Sequence, residues 1–138
     1  MNSATQSPWP LRSLLFVPAH RLDWVTKTAD AAVDAVILDL EDSVPRAGKP
    51  RARSLLGEEI DLLSRHGVAC IVRLNSLGNE CEADNQAAVR PELAGVMLPK
   101  TDSAEDIRGL HALLDAAKER AGLPNGCTGV IPLPETAR

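Results

Sequence analysis

The sequence has few aromatic residues, no paired cysteines and no long apolar runs. Its 138 residues include two tryptophans, one phenylalanine and no tyrosine, so the apolar content is almost wholly aliphatic. Aliphatic segments of valine, leucine and alanine are typical of alternating β/α folds. The length suffices for one domain with its own core.

The cysteine spacing and the charge exclude several classes of protein. Cys70, Cys81 and Cys127 lie far apart and form no CxxC pair. This predicts neither a disulfide framework nor a zinc site, and it favours a reducing, cytoplasmic location. The net charge is −4, from 15 basic and 19 acidic residues that are interspersed. Without a basic stripe, nucleic acid is not an expected partner, whereas a small anion needs only a few basic side chains.

The apolar runs are too short to cross a bilayer, so no membrane partner is expected. The first ten residues, MNSATQSPWP, lack the basic and apolar regions of a signal peptide. We interpret residues 1–10, which include two prolines, as a flexible leader. Residues 11–138 are then predicted to be one α/β unit.

Five short aliphatic segments alternate with helical segments, which predicts βα units and a parallel sheet. The expected strands are residues 12–18, 35–40, 68–75, 94–99 and 129–133. A first helix is expected to reach about residue 33, with Ala32 on its inner face, and a second to run from about residue 50 to His66. Residues 76–92 predict only a short helix or loop. Ser103 and Asp106 indicate a capping box for the last helix, which should end at Gly122.

Side chains suited to chemistry follow each predicted strand. The segment AVILDLEDSV has an apolar run typical of a strand covered on both faces, and it ends in Asp39, Glu41 and Asp42. The other strands are followed by His20 and Arg21, Arg73 and Asn75, Lys100, and Glu135. Because the carboxyl ends of parallel strands meet at one edge, we expect a shared site there. Capping of the next turn by Asp42 and Ser43 is the alternative explanation of the acidic cluster.

Five stretches at these strand ends resemble the HpcH/HpaI aldolase and citrate lyase β-subunit family, and in particular its CoA-ester lyases. They are RSLLFVPAHR (12–21), DAVILDLEDSV (34–44), VRLN (72–75), GVMLPK (95–100) and IPLPETA (131–137). The resemblance implies a TIM-type (β/α)8 barrel, of which this chain would hold about five strands and four helices. It further implies Mg²⁺-dependent cleavage or formation of a 3-hydroxy-acyl-CoA, such as malyl-, citramalyl- or citryl-CoA. The other reactants would be an acyl-CoA and a 2-oxo acid.

The resemblance also implies roles for single residues. Glu135 would bind metal and substrate, and the second metal ligand, an aspartate, would lie beyond the end of this sequence. Arg73 would bind the carboxylate of the 2-oxo acid, which suits a planar, bidentate guanidinium. The sequence departs from the family pattern at Ala19, usually glycine, whose backbone must then avoid positive φ. It departs again at Pro134, usually aliphatic, which removes one N–H beside the metal ligand.

Further residues of the expected site form two groups. The acyl-CoA would be held by Phe16, Arg21 and Lys27. Additional contributors at the sheet edge would be Asp39, Glu41, Asp42 and Lys100. Lys100 would either contact substrate or form a salt bridge with Asp39 or Glu135. No residue is assigned the proton transfer, and the full-length protein is expected to be a homo-oligomer.

Three other interpretations stay open at this point. A class II aldolase acting on free 2-oxo acids would not need CoA. A receiver domain would also have five βα units, with Asp39 as phosphoacceptor and Lys100 as its late lysine. A non-catalytic fragment of a truncated or split protein would have an unfinished barrel, a single metal ligand and open edges prone to self-association.

Overall fold

The computed structural model describes residues 7–78 and 80–137. The strands are β1 Leu14–Pro18, β2 Ala35–Asp39, β3 Ala69–Arg73, β4 Leu93–Leu98 and β5 Gly129–Pro132. The helices are α1 Leu22–Thr28, α2 Lys49–Arg65, α3 Cys81–Ala88 and α4 Ala104–Ala121, with a 3₁₀ turn at Arg46–Gly48. The predicted alternation of five strands with four helices is therefore confirmed.

All five strands are parallel and lie in the order β1-β2-β3-β4-β5. Each strand thus pairs with the one before it in the sequence, as consecutive right-handed βα units of a barrel do. A receiver-type fold instead places its second strand at the edge, in the order 2-1-3-4-5. The receiver interpretation is wrong for this reason.

The two faces of the sheet bury different apolar sets, because successive strand residues point to opposite sides. The helix-covered face holds the larger core, which includes Val36, Leu38, Val72, Val96, Leu56, Ile60, Leu63, Leu110 and Leu114. The other face buries a small cluster of Ala35, Ile37, Ile71 and Met97. Every residue of β2 is buried, as its unbroken apolar run predicted.

Helix α1 is shorter than predicted: it ends at Thr28, and Ala32 is exposed. The cause lies at Asp34, whose carboxylate accepts the backbone N–H groups of Arg12 and Ser13 at 2.7 and 3.2 Å. This contact brings the start of β2 beside the start of β1, so the chain must leave the helix and turn before Asp34. The pattern of apolar residues continues past Thr28, but the helix does not.

The ends of α4 follow the sequence prediction. Ser103 and Asp106 form the expected capping box, in which each side chain accepts the other residue's backbone N–H. Gly122 ends the helix with φ of +71°, a left-handed conformation that glycine adopts without steric cost. Ala19 avoids positive φ, as its position required: among the described non-glycine residues only Glu80 and Lys100 have it.

Trp9, within the predicted leader, lies against the amino-terminal end of the sheet. A Cβ atom on Gly129 would stand 2.8 Å from the Trp9 ring, and one on Gly95 would stand 2.9 Å from the Gly129 carbonyl oxygen. Both positions therefore need glycine for close approach. Residues 1–6 of the predicted leader lie outside the described residues.

The surface at β1 is apolar. Leu14, Leu15 and Phe16 are 38%, 38% and 48% exposed on a strand that pairs, within the described chain, with β2 alone. No helix in residues 7–78 and 80–137 is long and apolar enough to cross a membrane. The three cysteines are free, with Cys70 and Cys81 buried and Cys127 exposed.

Candidate active site

The carboxyl ends of β2 and β3 join a carboxylate to a guanidinium. Asp39 and Arg73 are register partners, and Arg73 donates from Nε and Nη2 to the two oxygens of Asp39, each at 2.7 Å. Asp39 also accepts the backbone N–H of Glu41 and both the N–H and the hydroxyl of Ser43. Burial raises the pKa of Asp39, but the hydrogen bonds from Arg73 and Ser43 outweigh it and hold that pKa below its ordinary value. Asp39 is thus a buried anchor for Arg73.

Arg73 is enclosed on three sides. Its Cζ atom lies 5.0 Å from the centre of the Phe16 ring, a cation–π distance. Its Nη1 atom lies 3.7 Å from Oε1 of Glu41. Because Asp39 accepts one N–H from Nε and one from Nη2, the end of the guanidinium between Nη1 and Nη2 keeps the remaining N–H groups for a ligand. A guanidinium held in a fixed orientation in this way is a candidate group for binding an anion.

Glu41 brings an unsatisfied carboxylate to the same edge. Both of its side-chain oxygens are buried and have no hydrogen-bond partner within the described chain. The pKa of Glu41 is raised by burial and by the neighbouring charge of Asp42, and Glu135 raises it further. The cationic groups of Arg73 and Lys100 act in the opposite direction. Buried polar atoms are normally satisfied, so this group is a candidate for contact with a cation, water or ligand.

Glu135 follows β5 and is held by the loop after β4. The backbone N–H of Lys100 donates to Oε2 of Glu135 at 2.8 Å, and Lys100 has φ of +52°. The Thr136 hydroxyl donates to Asp102 at 2.6 Å, which ties the two loops together a second time. Within the described residues the ammonium group of Lys100 forms no ion pair. Of the two alternatives for Lys100, the salt bridge to Asp39 or Glu135 is therefore not formed, and it is the backbone of Lys100 that contacts Glu135.

Sequence reasoning missed Lys49, whose side chain connects the segments that follow β2 and β3. Its ammonium group donates to the carbonyls of Leu40 and Glu41 at 2.7 and 2.8 Å and to the side-chain oxygen of Asn75 at 2.8 Å. Asn75 in turn donates from its backbone and side chain to Asp84. All three ammonium hydrogens are thus used within the protein, so Lys49 holds the strand ends in place.

The three residues expected to hold acyl-CoA lie on β1 and in the α1 region. Phe16 contacts Arg73, but Arg21 and Lys27 belong to the α1 region. Arg21 donates to Asp23 from Nε and Nη2 at 3.0 and 2.8 Å, and its Cζ atom lies 4.3 Å from the centre of the Trp24 ring. Lys27 is exposed.

The carboxylates of the site fit a hard cation only in part. In the portion of the chain that the structure describes, no three His, Cys, Asp or Glu side chains are grouped closely enough to hold a metal ion. Mg²⁺ commonly uses one or two protein carboxylates and completes its shell with water and substrate oxygens. Glu135, whose charge is near enough to act on the unsatisfied Glu41, is suited to that smaller role.

A parallel sheet of sequential βα units, with an oriented arginine and several acids at its carboxyl edge, is the arrangement of an α/β-barrel type of protein. The chain belongs to the HpcH/HpaI aldolase/citrate lyase family, whose model matches residues 12–138. It is 33% identical over 112 residues to a citrate lyase subunit beta-like protein of Deinococcus radiodurans, covering 78% of this chain and 39% of that protein. It is 35% identical over 106 residues to a (3S)-malyl-CoA thioesterase of Cereibacter sphaeroides, covering 76% and 37%.

Solved structures agree with this assignment. The citrate lyase beta subunit of Mycobacterium tuberculosis, complexed with oxaloacetate and magnesium, matches with TM-score 0.67 and 33% identity over 96% of this chain and 52% of that one. A malate synthase of Haloferax volcanii matches with TM-score 0.76 at 14% identity, which supports the fold alone. The predicted partial TIM-type barrel is confirmed, and the chain spans about two-fifths of the length of its curated relatives.

Proposed function

We propose that this chain supplies the first part of a Mg²⁺-dependent carbon–carbon lyase. The substrate would be a 3-hydroxy-acyl-CoA such as malyl-, citramalyl- or citryl-CoA, and the other reactants an acyl-CoA and a 2-oxo acid. The observation that carries the proposal is Arg73, fixed on one edge by Asp39 and stacked on Phe16. The relative of known structure with oxaloacetate and magnesium supports the same class of ligand.

Arg73 would bind the carboxylate of the 2-oxo acid through its terminal nitrogens. The bidentate contact with Asp39 keeps the guanidinium from rotating, so little side-chain entropy is lost when the ligand binds. Phe16 would shield one face of the guanidinium and strengthen its interaction with the anion. Lys49 holds the carbonyls of Leu40 and Glu41 and so fixes the turn that carries Glu41.

Glu135 would be the metal ligand of this chain, with Glu41 beside it. When bound, Mg²⁺ supplies Lewis-acid polarisation of the 2-oxo acid oxygen. The N–H of Lys100 orients the Glu135 carboxylate by holding one of its oxygens. The cationic groups of Arg73 and Lys100 offset part of the negative charge that the acids and a carboxylate ligand bring together. We assign no residue of this chain to the proton transfer.

Two further proposals concern the full-length protein. The three free cysteines agree with a reducing cytoplasmic location. The apolar exposed strand β1 agrees with burial of this edge by further protein, within one subunit or in a homo-oligomer.

Ligand-dependent thermal unfolding of the 138-residue chain tests the proposal. We expect pyruvate with Mg²⁺, and CoA independently, to raise Tm. Arg73→Lys should abolish the pyruvate effect because lysine cannot replace the planar fork, and Glu135→Gln should abolish the Mg²⁺ dependence. The control Arg65→Lys, at an exposed pair on α2, should respond as the original chain does.

The outcomes separate the competing functions. Stabilisation by pyruvate and Mg²⁺ without any effect of CoA would favour the CoA-independent class II aldolase. No stabilisation by pyruvate, CoA or Mg²⁺ would contradict ligand binding by this chain and leave a non-catalytic fragment as its function.

A further inference from the structure

Asp84 is a fully buried carboxylate on α3 whose contacts lead to the candidate active site. Its Oδ2 atom accepts the backbone N–H and the side-chain amide of Asn75, at 2.7 and 2.8 Å. Its Oδ1 atom accepts an N–H of Arg53 at 3.2 Å. Both oxygens are thus used, and three N–H groups converge on one carboxylate.

The charge of Asp84 is costly for the folded protein. Burial raises the pKa of Asp84, and the hydrogen bonds from Asn75 and Arg53 offset that effect only in part. A buried ion pair is often no more stabilising than well-packed apolar residues of the same volume. Stability alone therefore does not account for an aspartate at this position. What an apolar side chain could not supply is a pair of acceptor oxygens with fixed directions.

Asp84 determines which way the Asn75 amide points. A carboxylate only accepts hydrogen bonds, so the NH2 group of Asn75 must face Oδ2 of Asp84. The same NH2 group donates to the carbonyl of Leu40 at 3.1 Å. The amide oxygen is then free to accept from the ammonium group of Lys49, at 2.8 Å. With the amide reversed, its oxygen would face two acceptors and its NH2 group would face a cation.

Lys49 transmits this constraint to the turn that follows β2. Its ammonium group also donates to the carbonyls of Leu40 and Glu41. The N–H of Glu41 donates to Asp39, whose two oxygens fix Arg73. The position of the turn therefore affects both the support of Arg73 and the 3.7 Å separation between Nη1 of Arg73 and the Glu41 carboxylate.

We propose that Asp84 is a positioning residue of the candidate active site. It orients the Asn75 amide and thereby Lys49, and Lys49 in turn holds Glu41 against Arg73. The inference rests on the proposed function, in which Arg73 binds a 2-oxo acid and Glu41 stands beside the metal ligand. Asp84 acts through its neighbours and has no assigned contact with substrate.

Calorimetry of pyruvate binding with Mg²⁺ tests the proposal on the 138-residue chain, at a temperature at which every variant is folded. Asp84→Asn keeps the size of the side chain but allows an NH2 group to face the Asn75 amide. It should weaken pyruvate binding about tenfold, the factor that corresponds to the loss of one hydrogen bond to a charged group.

A second variant breaks the same connection from the other side. Asn75→Ala should weaken pyruvate binding about as much, and it carries the test if Asp84→Asn fails to fold. The double variant should show about the same loss as either single variant and not the product of the two, because both changes interrupt one chain of contacts.

Two controls separate positioning from stability. Arg53→Gln removes the other partner of Asp84 and leaves both bonds to Asn75 in place. Ile60→Val shortens a buried side chain of α2. Both variants should lower Tm, and both should leave the Kd for pyruvate unchanged.

NMR of the Arg73 side chain reads the arrangement without any ligand. The Nε–H resonance of Arg73 can be assigned by its absence from Arg73→Lys. Because Asp39 accepts this N–H, we expect the resonance to shift and to exchange faster with solvent in Asp84→Asn. In Arg53→Gln and Ile60→Val it should remain as in the original chain.

The outcomes distinguish this inference from the proposed function. A lower Tm in Asp84→Asn, with the Kd for pyruvate and the Arg73 resonance both unchanged, overturns the positioning role and leaves the proposed function intact. Absence of pyruvate binding by the original chain overturns the proposed function instead. In that case the Arg73 resonance still decides the positioning role, and an unchanged resonance in Asp84→Asn overturns it as well.

Discussion

Glu59 offers a sharp test of the core, because its carboxyl group is fully buried on α2 without a hydrogen-bond partner in the described chain. Burial first, and then the charge of Glu58, raise the pKa of Glu59 from 4.5 to about 8. From the strand beneath, Cys70 lies near enough for the Glu59 charge to raise the pKa of its thiol further. We consider the substitution Glu59→Met, which replaces the carboxyl group with an apolar chain of similar length.

The magnitude follows from proton linkage. An acid with a raised pKa binds its proton more tightly in the folded state, so the folded state loses stability as pH rises from about 4.5 through about 8. Each tenfold difference in proton affinity corresponds to about 1.4 kcal/mol. At pH 7 the ionisable group therefore costs about 3 kcal/mol relative to pH 4. This is a large fraction of the roughly 5–15 kcal/mol by which domains are stable.

Urea unfolding between pH 5 and pH 8 measures this effect. We expect the difference in unfolding free energy between Glu59→Met and the original chain to grow by about 3 kcal/mol in favour of the variant across this range. The exposed Glu119 on α4 gives the control, Glu119→Gln, whose difference from the original chain should stay nearly constant. Titrating groups that do not interact with Glu59 affect all three proteins alike and cancel in the comparison.

Parallel pH profiles for Glu59→Met and the original chain would refute the reasoning. They would mean that the Glu59 carboxyl group titrates equally in the folded and unfolded states, and so reaches water or a partner in the folded protein. A stability gain that is the same at every pH would point to packing alone as its cause.

Three further substitutions test contacts at the site, each by urea unfolding. Asp39→Asn should lower the unfolding free energy by about 3 kcal/mol at pH 7, because the nearly buried charge of Arg73 loses its partner. Because the pKa of Asp39 is held low in the folded state, the stability that its carboxylate contributes should disappear as pH falls below about 4. The unfolding free energy of Asp39→Asn should lack this pH dependence. Lys49→Met should cost about 2 kcal/mol, because it removes the ammonium donor of the Glu41 carbonyl and of the Asn75 side-chain oxygen, whereas the Leu40 carbonyl keeps its bond from the Asn75 amide. Lys49→Arg is the control that keeps the charge. Lys100→Gly should match or exceed the original stability, because glycine adopts the φ of +52° found at this residue without strain. Lys100→Val should lower the unfolding free energy by about 1 kcal/mol, because that φ is strained for a branched side chain. Equal effects of the two substitutions would contradict strain at this residue.

The features that could be predicted are those that depend on neighbouring residues in the sequence. The aliphatic runs located all five strands, and the pairing of Ser103 with Asp106 located the start of α4. The meeting of Asp39 with Arg73 followed from a general property of parallel strands, whose carboxyl ends share one edge. The site was therefore predictable where the backbone topology alone decides which residues meet.

Contacts that depend on the reach of a long side chain could not be predicted. Lys49 lies at the start of α2, and nothing in the adjacent sequence indicates that its ammonium group reaches the end of β3. The early end of α1 depends on Asp34 binding the backbone before β1, a contact across more than twenty residues. Glu59 occupies a helix position that reads as polar, and it is buried because α2 has neighbours on both sides, α1 and α3.

The sequential strand order has a consequence for how the chain is synthesised. Every strand from β2 to β5 pairs with the one that precedes it. During translation each new strand can therefore add to an edge that has already left the ribosome, and none has to wait for a partner made later. Amino-terminal units generally fold first as the chain emerges. The Asp39–Arg73 pair would be complete once β3 has been made, before the Glu135 codon is read.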